Sequence, residues 1–501
     1  MQTRLPTAAF FGIILFLIVT GVPAKAQSNF VLHTFAPASY SAAAVANTNF
    51  DGIIPNGWLT WSGTNFYGTA LKGGINGAGT IFAVNTNGNF NVLFAFPAEV
   101  LGTGNNNGAY PNGGLVVSAP NVYGTAQYGG NNDNGVIFSI ATNGTGFTLL
   151  HTYSASPNTN FLGFTTNADG ANPSAGLVMS GKFVYGTAYN GGTGGNGVVY
   201  SCSNTAFKVL HQFTAGNIDS FQNYTNSDGE NPGCQLLLLG TNLFGTTKYG
   251  GTNGYGTVFM TDTNGAKFVV LHHFNDTDGT GDLGASPNSG LVFSGGILYG
   301  IGGGALYSLG TDGSNFTVLW SFGDFLDSLP AVSGLTVTNG TLYCAATQAG
   351  AYGFGQIFAM ITNGTGFTDF HDFTPVASGG YPAPPPTNAD GYFPQGGLVL
   401  LNKSLYGVAT HGGTNSINYN TDSSGVIFRA LPAPSFSSSQ ISGNNFLFNL
   451  PAFDGLSYTV KQSTNVEGPW IQYSNFTGNS TIKQFTVPTA NPQLYFRVNQ
   501  P

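Results

Sequence analysis

Gly114-Leu115-Val116-Val117, Val122-Tyr123-Gly124-Thr125-Ala126, Gly135-Val136-Ile137-Phe138 and Leu149-Leu150-His151-Thr152-Tyr153 follow one another in that order within residues 114–153. Each is a short run of β-branched and aromatic residues bounded by turn formers, which predicts four strands joined in series. Ser118-Ala119-Pro120-Asn121 makes a tight turn between the first two, and Asn143-Gly144 one between the last two. Asn-Gly is a strong hairpin signal because both residues tolerate positive φ.

The same four runs recur along the chain. The second returns as Phe66-Tyr67-Gly68-Thr69, Val184-Tyr185-Gly186-Thr187, Leu243-Phe244-Gly245-Thr246, Leu298-Tyr299-Gly300, Leu342-Tyr343-Cys344 and Leu405-Tyr406-Gly407. The fourth returns at Val31–Phe35, Val92–Phe96, Val209–Phe213, Val270–Phe274, Val318–Phe322 and Asp369–Phe373. Four-stranded units at this spacing fit the blades of a β-propeller better than the turns of a compact solenoid.

Loop lengths set the phase. The long connection always follows the fourth run, as from Ser154 to Ala175. In a propeller the long step crosses from the outermost strand of one blade to the innermost of the next. The Gly-Leu run is therefore innermost and the Leu-His run outermost. With this phase Val31–Phe35 is an outermost strand with no blade before it. Gly397–Leu401, Ser404–Val408 and Gly425–Arg429 are three strands lacking an outermost partner. Residues 30–35 are predicted to complete the seventh blade, which removes open strand edges.

Composition agrees and excludes other classes. Only 6% of residues are charged, the formal net charge is −8, and Gly numbers 75. A nucleic-acid binder needs a basic footprint, so no nucleic-acid partner is expected. Helical bundles need many Ala, Glu, Lys and Leu, and the Glu residues here are Glu99, Glu230 and Glu467 alone. Residues 1–26 read as a secretory signal peptide. Arg4 starts it, Phe10–Val22 are its apolar run, and Ala24-Lys25-Ala26 is a small-x-small cleavage site. After cleavage no segment is apolar for long enough to span a membrane. The expected location is outside the cell or on its surface. Cys202, Cys234 and Cys344 read as buried free thiols, with a Cys202–Cys234 bridge as the alternative.

The pattern changes after Leu431-Pro432-Ala433-Pro434. Alternating runs at Phe446–Leu450, Tyr458–Gln462, Trp470–Tyr473, Lys483–Val487 and Leu494–Val498 predict a small β-sandwich of fibronectin or immunoglobulin type, with Trp470 and Tyr495 in its core. The expected architecture is thus all-β. A seven-bladed β-propeller covers residues 27–431, a linker 432–436, and a β-sandwich 437–501.

Tyr-Gly-Thr followed by Gly-Gly, the Gly-x-Val-Phe strand, Leu-His-x-Phe and the Asp-Gly-x-x-Pro loop together resemble the Gloeo-Verruco (GloVer) tandem repeat. The resemblance covers roughly residues 30–431. The ending Tyr495-Phe496-Arg497-Val498 is similar to small β-domains on secreted verrucomicrobial proteins. The resemblance implies export and a repeat architecture, and carries no activity with it.

Candidate chemistry is sparse. His33, His151, His211, His272 and His371 share one repeat column with Phe94 and Trp320. A ligand or general base would not alternate with large apolar rings, so the column reads as structural. Asp-Gly pairs recur in the long loops as Asx-type turns. Asp51, Asp169, Asp228 and Asp390 among them are the candidate ligand-face residues. Asp276, Asp278 and Asp282 alternate with small residues like the start of a calcium loop, although no Glu completes it. Calcium is the one cofactor considered. No Gly-x-Ser-x-Gly or His-Glu-x-x-His occurs, and no catalytic residue is assigned.

The expectation is a secreted, monomeric binding or structural scaffold. Its loop face, rich in Asn, Thr, Gly and Tyr, would meet a glycan or cell-surface polymer. A polysaccharide-acting lyase or hydrolase is the alternative, and would need a carboxylate or His–Tyr cluster in the central channel. A purely architectural surface protein is the third reading.

Overall fold

The structure is a computed structural model. It describes residues 31–41, 46–99, 105–218, 224–275, 287, 289–302, 304–322, 332–338, 340–347, 349–350, 352–365, 368–374, 390–402, 404–413, 424–430, 438–442, 445–452, 457–463, 469, 471–477, 481–488 and 495–499. The chain divides into two compact units, one of residues 30–430 and one that holds the C-terminal strands.

The first unit is a seven-bladed β-propeller of four-stranded antiparallel sheets. Blades 1 to 6 occupy residues 53–95, 116–152, 178–212, 237–273, 292–321 and 332–372 in chain order. Blade 2 is typical, running from the innermost Val116–Ser118 through Asn121–Ala126 and Val136–Ala141 to the outermost Thr148–Thr152. Blade 7 takes Tyr392–Leu401, Ser404–His411 and Val426–Ala430 from the end of the repeats and Val31–Thr34 from their beginning. Val31 pairs with Phe428 and Thr34 with Val426, so the N-terminal strand closes the ring as its phase predicted. No helix occurs among the described residues, and none there is long and apolar enough to cross a membrane.

Two repeated contacts explain the markers. The Gly of Tyr-Gly-Thr lies opposite an aromatic residue of the third strand: Gly68 faces Phe82, Gly124 faces Phe138, and Gly186 faces Tyr200. The ring folds over the bare backbone, and a Cβ at Gly124 would come within 2.6 Å of Phe138 Cζ. The aromatic that ends the fourth run is also fixed. Phe35, Phe96, Tyr153 and Phe213 are fully buried, and their N–H groups donate to Gly425, Gly79, Gly135 and Gly197. Burying one such ring contributes about 2 kcal/mol. Those glycines start the third strands. At Gly135 φ is +95°, and a Cβ would meet Pro173 Cδ of the next blade at 2.6 Å. The glycine thus serves both the turn and the close approach of neighbouring blades.

Three details go beyond the sequence reading. The long loops carry small hairpins: Ser39–Ser41 with Ala46–Thr48, Asn158–Thr159 with Thr165–Thr166, and Asn217–Ile218 with Tyr224–Thr225. The C-terminal unit forms two three-stranded antiparallel sheets. One joins Ser438–Ser442, Asn445–Ala452 and Thr481–Pro488; the other joins Ile471–Thr477, Ser457–Ser463 and Tyr495–Asn499. Ser438–Ser442 is the unexpected member, a polar run with no apolar alternation to signal it. Val460 and Phe485 are buried there, while Trp470 and residues 432–436 lie outside the described residues.

Candidate functional site

The innermost strands begin on the face where the blade-to-blade loops arrive. Each start is framed by a Pro and, four residues on, a buried Leu: Pro55 and Leu59, Pro111 and Leu115, Pro173 and Leu177, Pro232 and Leu236, Pro394 and Leu398. The residues between them converge on the ring axis and line a cavity of about 180 Å³. Asn56, Trp58, Asn112, Ser174, Cys234 and Gln235 are its side-chain lining, and glycines supply much of the rest.

The position just before each Leu sets the shape of this mouth. It holds Gly114, Gly176, Gly290, Gly334 and Gly397 in five blades, but Trp58 in blade 1 and Gln235 in blade 4. Both large side chains lie across the glycine of the preceding blade. A Cβ at Gly397 would be 2.5 Å from Trp58 Cε3, and one at Gly176 would be 3.1 Å from Gln235 Cδ. Gln235 Nε2 donates to the Leu177 carbonyl at 2.8 Å, and Asn56 Nδ2 donates to Asn112 Oδ1. The lining is therefore polar but uncharged. Burial pushes the Cys234 thiol up to about 11, against opposing effects of Thr246 and Lys248, so it stays protonated at neutral pH. All three cysteines are free.

The residues before these prolines adopt left-handed backbone. Ile54, Tyr110, Asn172, Asn231 and Phe393 have φ between +54° and +58°. That conformation is costly for a non-glycine residue, most of all for β-branched Ile54. Interblade hydrogen bonds offset it. Tyr110, Asn172, Asn231 and Phe393 donate their N–H groups to Ala78, Asn134, Asn196 and Phe354 of the preceding blade at 2.8–2.9 Å. The loops between strands and blades carry exposed aromatics: Tyr40, Phe50, Tyr128, Phe161, Tyr249 and Tyr352. Phe164 and Tyr224, from neighbouring loop hairpins, pack with centroids 5.5 Å apart.

The Asp and His residues meet at the rim instead. His33 Nε2 donates to Asp51 at 3.0 Å, His151 to Asp169 at 2.9 Å, His211 to Asp228 at 2.9 Å, and His371 to Asp390 at 3.1 Å. The same carboxylates accept the N–H groups of Ala36, Ser154, Thr214 and Thr374. Three of these imidazoles also stack on a Phe of the next blade: His33 on Phe90 at 3.8 Å, His151 on Phe207 at 3.7 Å, His211 on Phe268 at 3.5 Å. The four carboxylates read as ligand-face candidates are thus engaged within the protein, and Asp51 is only 2% exposed. At Asp169 and Asp390 burial works to raise the carboxyl. Hydrogen bonds from His151 and Ser154, and from His371 and Thr374, outweigh it and hold both below the ordinary value.

Sequence reasoning placed the two columns but did not join them. The signal was present, because blade 1 has Phe94 in the His position and Asn107 in place of the Asp. Phe94 keeps the stack, on Phe147 at 4.0 Å. Of the other histidines, His273 Nδ1 accepts the Thr252 N–H and His411 Nδ1 bonds Thr410 Oγ1. Asp276, Asp278 and Asp282 lie outside the described residues, among which no group of three His, Cys, Asp or Glu is placed to hold a metal.

The family signature of the Gloeobacter/Verrucomicrobia repeat matches residues 28–163 and 159–303, more than half of the 501. No curated protein matches the chain. Similar solved structures include a nidogen/laminin complex, at 16% identity and TM-score 0.37, covering 62% of this chain and 94% of that one. An oligogalacturonate lyase from Vibrio parahaemolyticus is 8% identical with TM-score 0.42, covering 79% of this chain and 96% of that one. A puromycin hydrolase is 10% identical with TM-score 0.45, covering 84% of this chain and 62% of that one.

Proposed function

We propose a function from one premise: the chain belongs to the Gloeobacter/Verrucomicrobia repeat family, whose signature covers residues 28–303. On our reading it is a secreted binding scaffold, and the loop face of its propeller takes a glycan of an extracellular or cell-surface polymer.

The observation that carries this is the mouth of the central channel. Trp58 lies across Gly397, and the amides of Asn56, Asn112 and Gln235 line the same cavity. Sugar rings present apolar C–H faces to indoles and hydroxyls to amides, and pockets that hold them combine an aromatic wall with a few placed polar groups. The lining side chains are amides, a hydroxyl, an indole and a protonated thiol, which suit holding a sugar ring rather than transferring protons. Glycan arrays and pull-downs with envelope polysaccharides test the reading. Binding that weakens when Trp58 is replaced by Ala is expected; arrays and pull-downs at background would end it.

A further inference from the structure

In a ring of near-identical blades, the places where one blade departs toward chemically active side chains are informative. Several departures gather in one sector, at the junction of blades 3 and 4. Lys248 follows the second strand of blade 4, Asn242–Thr247, where blades 1, 2 and 7 have Leu71, Gln127 and Thr410. Glu230 occupies a position that is Ala109 and Ala171 in neighbouring repeats. Gln235 replaces the Gly176 and Gly290 of the adjacent blades, and Cys234 their Ala175 and Ser289, in the mouth itself.

Backbone bonds hold these residues together. Glu230 and Tyr249 exchange N–H···O bonds at 2.8 and 3.2 Å, and the Lys248 N–H donates to Asn231 at 3.2 Å. Tyr189 leans over the mouth, since a Cβ at Gly233 would be 3.2 Å from its ring. The Lys248 ammonium sits 4.9 Å from the centroid of the Tyr249 ring. Burial raises the Tyr189 hydroxyl and the Cys234 thiol, and the Lys248 charge opposes that rise in both. Its field therefore reaches the cavity that Cys234 lines. Among the described residues no carboxylate lies within ion-pairing distance of Lys248. Glu230 does not compensate it in mildly acidic solution, because burial pushes its carboxyl up to about 7. A half-buried cation with no counter-ion among the described residues, beside two phenol donors, is an incomplete anion site.

We infer that this side of the mouth is an acid-group subsite, in which Lys248, Tyr189 and Tyr249 receive the carboxylate of a uronic-acid residue in the bound glycan. A single cation matches a singly charged group. The inference rests on the glycan reading above and adds the class of sugar.

The test is calorimetric titration of the full chain with a tetramer of galacturonic acid and with its methyl ester, at mildly acidic pH. The acid is expected to bind about tenfold more tightly than the ester, and the preference to shrink in raised salt. Lys248→Met should abolish the preference, and Lys248→Arg should retain it. Equal affinities for acid and ester, or a preference that survives Lys248→Met, would overturn the subsite and leave the glycan reading standing. Binding of neither tetramer, with blank glycan arrays, would remove both.

Discussion

At the rim one device recurs around the ring: His33 on Asp51 and Phe90, His151 on Asp169 and Phe207, His211 on Asp228 and Phe268. At the mouth the same repeats diverge, with Trp58, Gln235 and Cys234 where other blades have glycine, alanine or serine. Both regions hang on identical backbone, so the difference lies in what each is selected to do. A rim fastener must fit every blade-to-blade step, because each step has the same geometry. A mouth that grips one ligand needs unlike groups at fixed places, and a ring of equal blades presents them on a rigid frame.

The largest expected effect comes from breaking the frame. Deleting residues 27–36 removes the outermost strand of blade 7 and the fully buried Phe35, exposing the edge of Val426–Ala430. The loss should be on the order of 5 kcal/mol or prevent folding altogether, read by thermal melting. A variant that melts like the parent would refute closure.

Next is the rim. His211→Ala removes a charge-assisted hydrogen bond and an interblade stack, leaving Asp228 buried without its partner. It should cost about 3 kcal/mol in denaturant unfolding. Replacing His211 with Phe and Asp228 with Asn together copies the Phe94 and Asn107 arrangement of blade 1, and should recover much of that loss. If the double variant is no better than His211→Ala, the clasp is not the interchangeable unit described.

Glu230 offers a pH test at the boundary between the two regions. Its folded carboxyl is pushed from 4.5 up to about 7 by burial, so between those values the folded chain keeps a proton that the unfolded chain has lost. Stability from this group therefore falls as pH rises through that window and is flat above it. Glu230→Gln should gain about 2 kcal/mol at alkaline pH and nothing at the acid end of the window, measured by denaturation at both. A gain independent of pH would contradict the assignment. The smallest effect belongs to Gln235→Gly, which restores the glycine of other blades. Melting should shift by less than about 0.5 kcal/mol equivalent while glycan affinity changes severalfold.

The frame was legible in the sequence because strand alternation and Gly, Pro and Asn-Gly punctuation are local signals repeated in order. Even ring closure followed, since the loop after each Leu-His run fixed the phase. The clasp was not, because His151 and Asp169 belong to different markers joined by loops of unequal length. Only the joint replacement at Phe94 and Asn107 linked them. The mouth was hidden for another reason. Gly114, Gly176 and Gly397 read singly as strand starts, and become the wall of a cavity only when distant repeats meet at the axis. The hairpin Asn158–Thr159 with Thr165–Thr166 and the strand Ser438–Ser442 were missed because polar residues carry no alternation to read.

The division of labour between rim and mouth is tested most directly by one paired measurement. Melting temperature and affinity for the best array glycan would be taken on the wild type, Trp58→Ala and His151→Ala. Trp58→Ala is expected to lose at least about tenfold in affinity with a smaller drop in melting temperature than His151→Ala, which melts lower and binds as before. Binding that survives Trp58→Ala, or that follows melting temperature in both variants, would contradict that division.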